Sequence, residues 1–173
     1  SRDSTCAFAE RCLTEMEIPF KIIKRENNNL AMARNDIIWE SKTRWIYMID
    51  ADCQMDSSTW PELIGLWKND PNIAARGGSQ KFPHSSEILI LLDEMRKSYL
   101  GHFGSTQMKN HGSSAHYVEH ISTTHVLYDR EALEKIGGFN PLLKSSAEDL
   151  DLSLRLRSHG YKLQFIPQSF VWH

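Results

Sequence analysis

Apolar and polar positions along the chain switch repeatedly between helical and extended periods. Cys6 to Glu15 has helical spacing behind Asp3 or Ser4 as an N-cap, Pro19 ends it, and Phe20 to Arg25 reads as a short strand. Leu30 to Trp39 is helical. Trp45 to Ile49 is a continuous apolar run of the kind found in strands buried on both faces of a parallel sheet, with Asp50 at its exit. Thr59-Trp-Pro-Glu62 has capping-box spacing with Pro61 in the first turn, and predicts a helix ending before Asp70-Pro71-Asn72. Ile73 to Arg76 is expected as a strand and Gly77-Gly78-Ser79 as a loop.

In the second half, Ile88, Leu91, Leu92, Met95 and Tyr99 form one stripe, so Glu87 to Tyr99 is predicted as an amphipathic helix. Residues 101 to 119 lack a period and read as a long loop. Ile121 to Tyr128 follows as a strand, Arg130 to Ile136 as a short helix stopped by Gly137-Gly138, and Lys162 to Ile166 as the last strand. Between them, Leu150, Leu152, Leu154 and Leu156 alternate with period two, a strand signal. The capping box Ser145-x-x-Glu148 and the stop His159-Gly160 nevertheless predict a helix over Ala147 to Ser158, with leucines on two opposite faces and packing on both sides. Helices alternating with short apolar strands give an α/β layered fold with a mostly parallel sheet.

Composition narrows the classes. The 173 residues, 40% hydrophobic, suit one core and therefore one domain over 1–173. The net charge of -2 and the lack of a long Lys/Arg run exclude the electrostatic footprint of a nucleic-acid binder. Cys6, Cys12 and Cys53 have no C-x-x-C spacing, which argues for a reducing compartment rather than a disulfide framework. The longest apolar run, Ile88 to Leu92, is far too short to span a bilayer. The expected location is cytoplasmic. The stripe on Glu87–Tyr99 is of the kind that packs on a sheet or, less often, rests on a lipid surface, so a peripheral association with the cytoplasmic face of a membrane is carried as an expectation.

Two acidic clusters could carry chemistry. Asp50 and Asp52 follow the Trp45–Ile49 strand. Ligands bind beyond the carboxyl ends of strands in open α/β sheets, and two carboxylates two residues apart in extended backbone converge on one spot, a seat for a hard divalent cation. Taken alone, a D-x-D is more often a turn. Glu148-Asp149-Leu-Asp151 opens the late helix, where acids suit the helix dipole whether or not they act on anything; either Glu148 or Asp149 is also suited to general-base work.

Six motifs in order carry a resemblance: Ser1-Arg-Asp3-Ser-Thr5, Ala33-Arg34-Asn35, Asp50-Ala-Asp52, Ile136-Gly-Gly-Phe139, Glu148-Asp149-Leu-Asp151-Leu-Ser-Leu-Arg155 and Val171-Trp-His173. Together they resemble the motifs of family 2 glycosyltransferases. The resemblance implies the GT-A (nucleotide-diphospho-sugar transferase) fold, truncated at both ends and lacking its first strand. It also implies transfer of a sugar from a nucleotide-diphosphate sugar, a UDP-sugar favoured, to a hydroxyl of a glycan or lipid-linked acceptor, with inversion. Asp149 would be the catalytic base, with Glu148 beside it. Asp3, Arg34, Asp50 and Asp52 would face the donor, Gly138 and Phe139 would line the acceptor side, and Asp52 with His173 would hold the metal. Mn²⁺ or Mg²⁺ suits such ligands, and an imidazole tilts the choice toward Mn²⁺.

Three other readings compete. His116-x-x-Glu119-His120 matches an inverted zinc-protease motif, which must sit on a helix. A haloacid-dehalogenase-like phosphotransferase also places D-x-D after an apolar strand, but wants Thr or Val where this chain has Gln54. The third is a non-catalytic nucleotide-sugar binding fragment.

Overall fold

The computed structural model describes residues 4–26, 29–57, 59–65, 70–82, 87–88, 90–91, 114–144 and 147–173. In chain order the elements are α1 (Thr5–Glu15), α2 (Leu30–Glu40), β1 (Trp45–Ile49), β2 (Gln54–Met55), α3 (Thr59–Gly65), β3 (Ile73–Lys81), β4 (His116–Val118), β5 (His125–Asp129), α4 (Arg130–Lys135), α5 (Glu148–Ser158) and β6 (Lys162–Trp172). Most of the helix expected over Glu87–Tyr99, most of the loop expected over 101–119, and Ser145 of the expected capping box lie outside the described residues.

The strands form one sheet in the order β1-β5-β3-β6-β2, with β4 also on β6. Only the β3–β6 pairing among the described residues is parallel, so the expected mostly parallel sheet is corrected to a mixed one. The apolar runs report burial, and burial on both faces does not encode strand direction. β1, β3 and β6 point the same way, while β5 runs against them between β1 and β3. This topology brings the segment entering β5 beside the exit of β1, where Asp50 N–H donates to the Thr124 carbonyl at 3.3 Å.

Alternation within the strands divides the core. Ile46 and Met48 of β1 and Val126 and Tyr128 of β5 face one side with Ala31 and Ile38 of α2, Ala132 and Leu133 of α4, and Leu152 and Leu156 of α5. Leu127 and Ile166 face the other side against Leu63 of α3, with Trp45 and Tyr47 alongside. In α5 the expectation of packing on both faces is corrected: Leu152 and Leu156 are buried, whereas Leu150 and Leu154 are about half exposed. α5 lacks a side-chain N-cap and starts from Ala147 in the left-handed region (φ 62°). Burial of its two core leucines, worth roughly 1.5–3 kcal/mol each, holds it in place.

Three further expectations are corrected. Phe20–Arg25 forms no strand; it runs along α2, tied by Lys21–Glu40 (2.5 Å) and Arg25–Asp36 ion pairs. Side-chain pairing to a helix satisfies no backbone group, and Ile18, Phe20 and Ile23 stay partly exposed. Gly77 and Gly78 lie inside β3 rather than in a loop. A Cβ on Gly77 would meet Ile121 Cγ2 at 2.5 Å, and one on Gly78 would meet the Ser169 carbonyl and, at 2.6 Å, His125 Nε2, so these glycines mark close approach rather than a turn. The strand expected over Ile121–Tyr128 is displaced to His125–Asp129, because Ile121 N–H donates to Ser153 Oγ of α5 (3.3 Å) instead of to a ladder.

A buried polar chain ties β1, β5 and β6 together. Tyr47 Oη lies 2.8 Å from His125 Nδ1, His125 Nε2 lies 2.8 Å from Ser169 Oγ, and Ser169 Oγ donates to the Thr59 carbonyl at 3.4 Å. That last bond fixes the proton order: with the serine hydrogen spent on Thr59, Nε2–H donates to Ser169 and Nδ1 accepts from the tyrosine. The imidazole must therefore be neutral, and burial lowers its pKa to about 4. A histidine whose pKa is depressed on folding contributes stability that is complete above its unfolded pKa and is lost as pH falls. The window here runs from about 6.5 down to about 4, and the loss approaches ~3 kcal/mol. Urea midpoints at pH 7 and pH 4.5 should show this slope in the native protein. It should be reduced in His125→Gln, and equal slopes would refute the assignment.

Candidate functional site

The D-x-D acids sit on a turn, not in extended backbone, since Cys53 N–H donates to the Asp50 carbonyl at 3.1 Å. The expected convergence of Asp50 and Asp52 on one point is corrected accordingly: the turn sends them to different partners. Asp50 lies 3.7 Å from Arg34 Nη2, and Asp52 lies 3.4 Å from His173 Nε2.

Arg34 is the hub. α2 begins where Asn29 accepts from Met32 N–H at 3.0 Å, and it carries Arg34 inward to 8% exposure. Its guanidinium donates to Glu148, itself only 5% exposed, and rests over the Phe139 ring with 5.6 Å to the centroid. One cation thus lies between the acid after β1 and the acid opening α5.

Phe139 supports this arrangement from below. Its backbone is gripped twice by the Asn35 side chain, N–H to Oδ1 at 2.7 Å and carbonyl from Nδ2 at 2.8 Å. Gly138 (φ 70°) allows this, because a Cβ there would run into Asn35 Oδ1. Gly138 and Phe139 are both buried, Phe139 completely. Expected on the acceptor side, the Phe139 ring lies under Arg34 as a floor.

Asp149 faces the segment entering β5. Its Oδ2 lies 3.2 Å from His120 Nε2, and its Oδ1 accepts from Leu150 N–H at 2.8 Å. Burial pushes the Asp149 carboxyl up, but the His120 ring beside it, with the backbone N–H groups of Leu150 and Asp149, outweighs this and holds the group below the ordinary aspartate range. Asp149 is therefore ionised and able to accept a proton near neutral pH. The Tyr128 hydroxyl, fully buried, shares the field of Asp149, Arg34 and Glu148, and burial pushes its phenol up.

The carboxylate of Asp52, the thiol of Cys53 and the imidazole of His173 offer ligand atoms within 4.8 Å of one another. A carboxylate and an imidazole fit Mn²⁺ and, less well, Mg²⁺, while the thiol is a softer third donor. His173 is held in place: its N–H donates to the Lys81 carbonyl at 2.9 Å and its ring lies 5.5 Å from that of Phe82. Asp3 lies outside the described residues. Sequence reasoning missed His120 as a neighbour of Asp149, because the only signal, the His116-x-x-Glu119-His120 motif, pointed to zinc. Here His116 is on β4 and His120 is in a loop, so the required helix is absent.

The fold is shared with known proteins. Across their full common fold the chain superimposes on GalNAc-T7 with UDP, GalNAc and Mn²⁺ (TM-score 0.74, 15% identity, 100% of this chain and 36% of that one). It also superimposes on the mannosyltransferase PcManGT from Pyrobaculum calidifontis in complex with GDP-Man and Mn²⁺ (TM-score 0.69, 18% identity, 100% and 45%). These likenesses establish the fold, GT-A. Poly-beta-1,6-N-acetyl-D-glucosamine synthase of Staphylococcus aureus (strain COL) is 25% identical over 148 residues, 86% of this chain and 34% of that protein. The Staphylococcus epidermidis enzyme of the same name is 25% identical over 154 residues, 88% and 36%. The chain thus spans about a third of the length of the curated relatives it matches. The model of the glycosyltransferase-like family 2 matches residues 2–173, where the phosphotransferase and zinc-protease readings have no support, and the chain belongs to that family.

Proposed function

We propose that the chain transfers a sugar from a nucleotide-diphosphate sugar to an acceptor hydroxyl, with inversion, in the synthesis of a polysaccharide or glycoconjugate. The observation that carries this reading is Arg34 between Asp50 and Glu148, which gathers both acidic clusters around one guanidinium. Asp149 takes the acceptor proton as the new glycosidic bond forms, and its ionised state suits that role. Asp50 faces the nucleotide, with Asp3 and Arg34 shaping its pocket, and Glu148 fixes Arg34. Asp52 and His173 hold a divalent cation, Mn²⁺ or Mg²⁺, which when bound neutralises charge on the departing diphosphate. Attack opposite the leaving group gives inversion.

The names of the neighbours, one with UDP and one with GDP-Man, support a nucleotide-sugar donor, and those of the relatives a glycan product; a UDP-sugar is the donor proposed here. No helix among the described residues is long and apolar enough to cross a membrane. A lipid-linked acceptor and action at the cytoplasmic face of a membrane belong to the same proposal. The test is a panel of UDP- and GDP-sugars with Mn²⁺, Mg²⁺ or chelator. Release of nucleotide diphosphate from one or a few donors, abolished by chelator, is expected. Turnover unchanged in chelator would refute the metal role, and donor binding without turnover would favour a binding fragment.

A further inference from the structure

We propose that His120 is the positioning residue of the transfer site, holding the Asp149 carboxylate in the orientation from which it receives the acceptor proton. This rests on the reading of Asp149 as the base. Two groups face the carboxylate from different elements: Leu150 N–H of α5 donates to Oδ1 at 2.8 Å, and His120 Nε2, from the loop before β5, lies 3.2 Å from Oδ2 as an ion-pair contact. The loop is itself fastened to α5, since the next residue, Ile121, is buried and its N–H donates to Ser153 Oγ one helical turn beyond Asp149. His120 and Asp149 side chains are 20% and 22% exposed, open enough for an acceptor to approach and closed enough that water competes poorly for the same lone pairs.

The charged and titratable groups around the pair are Glu148 on the same helix, Arg34 from α2 and Tyr128 from β5. Arg34 is already committed to Glu148 and Asp50, so the described neighbours leave His120 as the side chain that directly answers Asp149. His120 Nε2 makes no aligned hydrogen bond in this conformation; at 3.2 Å a small turn of the ring brings its N–H onto Oδ2 and leaves a lone pair of the carboxylate free for the incoming hydroxyl. Loss of that donor frees the carboxylate to rotate and lets burial act on it unopposed. A misplacement of about 1 Å at a reacting group costs on the order of 100-fold in rate, so a fall in kcat of roughly 10- to 100-fold is expected for His120→Ala.

The test has a readout that needs no substrate. In protein carrying carboxyl-labelled aspartate, the Asp149 resonance is assigned by its loss in Asp149→Asn and titrated in the native protein, His120→Ala and His120→Asn. His120→Ala should titrate at higher pH than native, with His120→Asn, which retains an N–H donor, in between. Coincident curves would overturn the proposal. Should His120→Ala fail to fold, the native against His120→Asn comparison decides in the same way. In turnover, the acidic limb of the kcat/KM profile should move to higher pH in His120→Ala with donor KM unchanged; a purely structural residue would leave that limb in place. If the resonance shifts but Asp149→Asn still transfers sugar, the base assignment fails and takes the positioning role with it, while the contact of His120 with Asp149 stands. If Asp149→Asn is inactive and neither curve moves, positioning alone fails.

Discussion

Replacing Arg34 with alanine is expected to lower the stability of the protein by about 3–5 kcal/mol, the range for breaking a buried ion pair from one side. Glu148 would keep its carboxylate at 5% exposure with no cation against it, and the Phe139 ring would lose the guanidinium above it. The Asp50 contact adds little, because it is long at 3.7 Å and its carboxylate is partly solvated. For a domain of this size the midpoint of thermal unfolding should drop by about 10 °C. The paired change Arg34→Met with Glu148→Gln should recover most of the loss, since removing both charges leaves nothing uncompensated. All four corners of that cycle can be read by thermal and urea unfolding. A single-variant loss below about 1 kcal/mol, or no recovery in the pair, would show that Arg34 is not the hub described here.

Asp149→Asn should reduce sugar transfer by roughly 10²–10⁴-fold, the usual contribution of a positioned general base. The amide has the size of the carboxylate and can still meet His120, so the fold and donor binding should change little. Nucleotide-diphosphate release with the donor selected by the panel measures the first effect, and calorimetric titration of that donor measures the second. Transfer within a fewfold of native would end the assignment of Asp149. Loss of donor binding in parallel would recast it as a donor ligand, because an interaction made only in the transition state lowers kcat without weakening the ground-state complex.

The sequence made some parts of this architecture legible and left others hidden. Local chemistry was readable: the Trp45–Ile49 run, the helix from Leu30, the helix from Arg130 and the Gly137-Gly138 stop all stand where periodicity and the stop signal put them, while the caps Asn29 and Asp129 came only with the structure. The order of the six motifs pointed to the family that the comparisons then established. Direction and partnership were not readable. β5 runs antiparallel between β1 and β3, and an apolar strand carries the same pattern in either direction. Gly77-Gly78 reads as a loop because the reason for two glycines, the approach of Ile121, His125 and Ser169, lies 44 to 91 positions further along.

The same division runs through the site. Residue types and spacings by themselves singled out the acids: a carboxylate pair after a strand and another at a helix start are chemical facts of the chain. Tertiary structure alone decided that Asp50 turns to Arg34 while Asp52 turns to His173, that Phe139 lies under Arg34, and that His120 faces Asp149. These contacts join positions 16 to 121 residues apart, and their strength depends on burial and orientation, which are properties of the packed sheet and helices rather than of any local stretch of sequence.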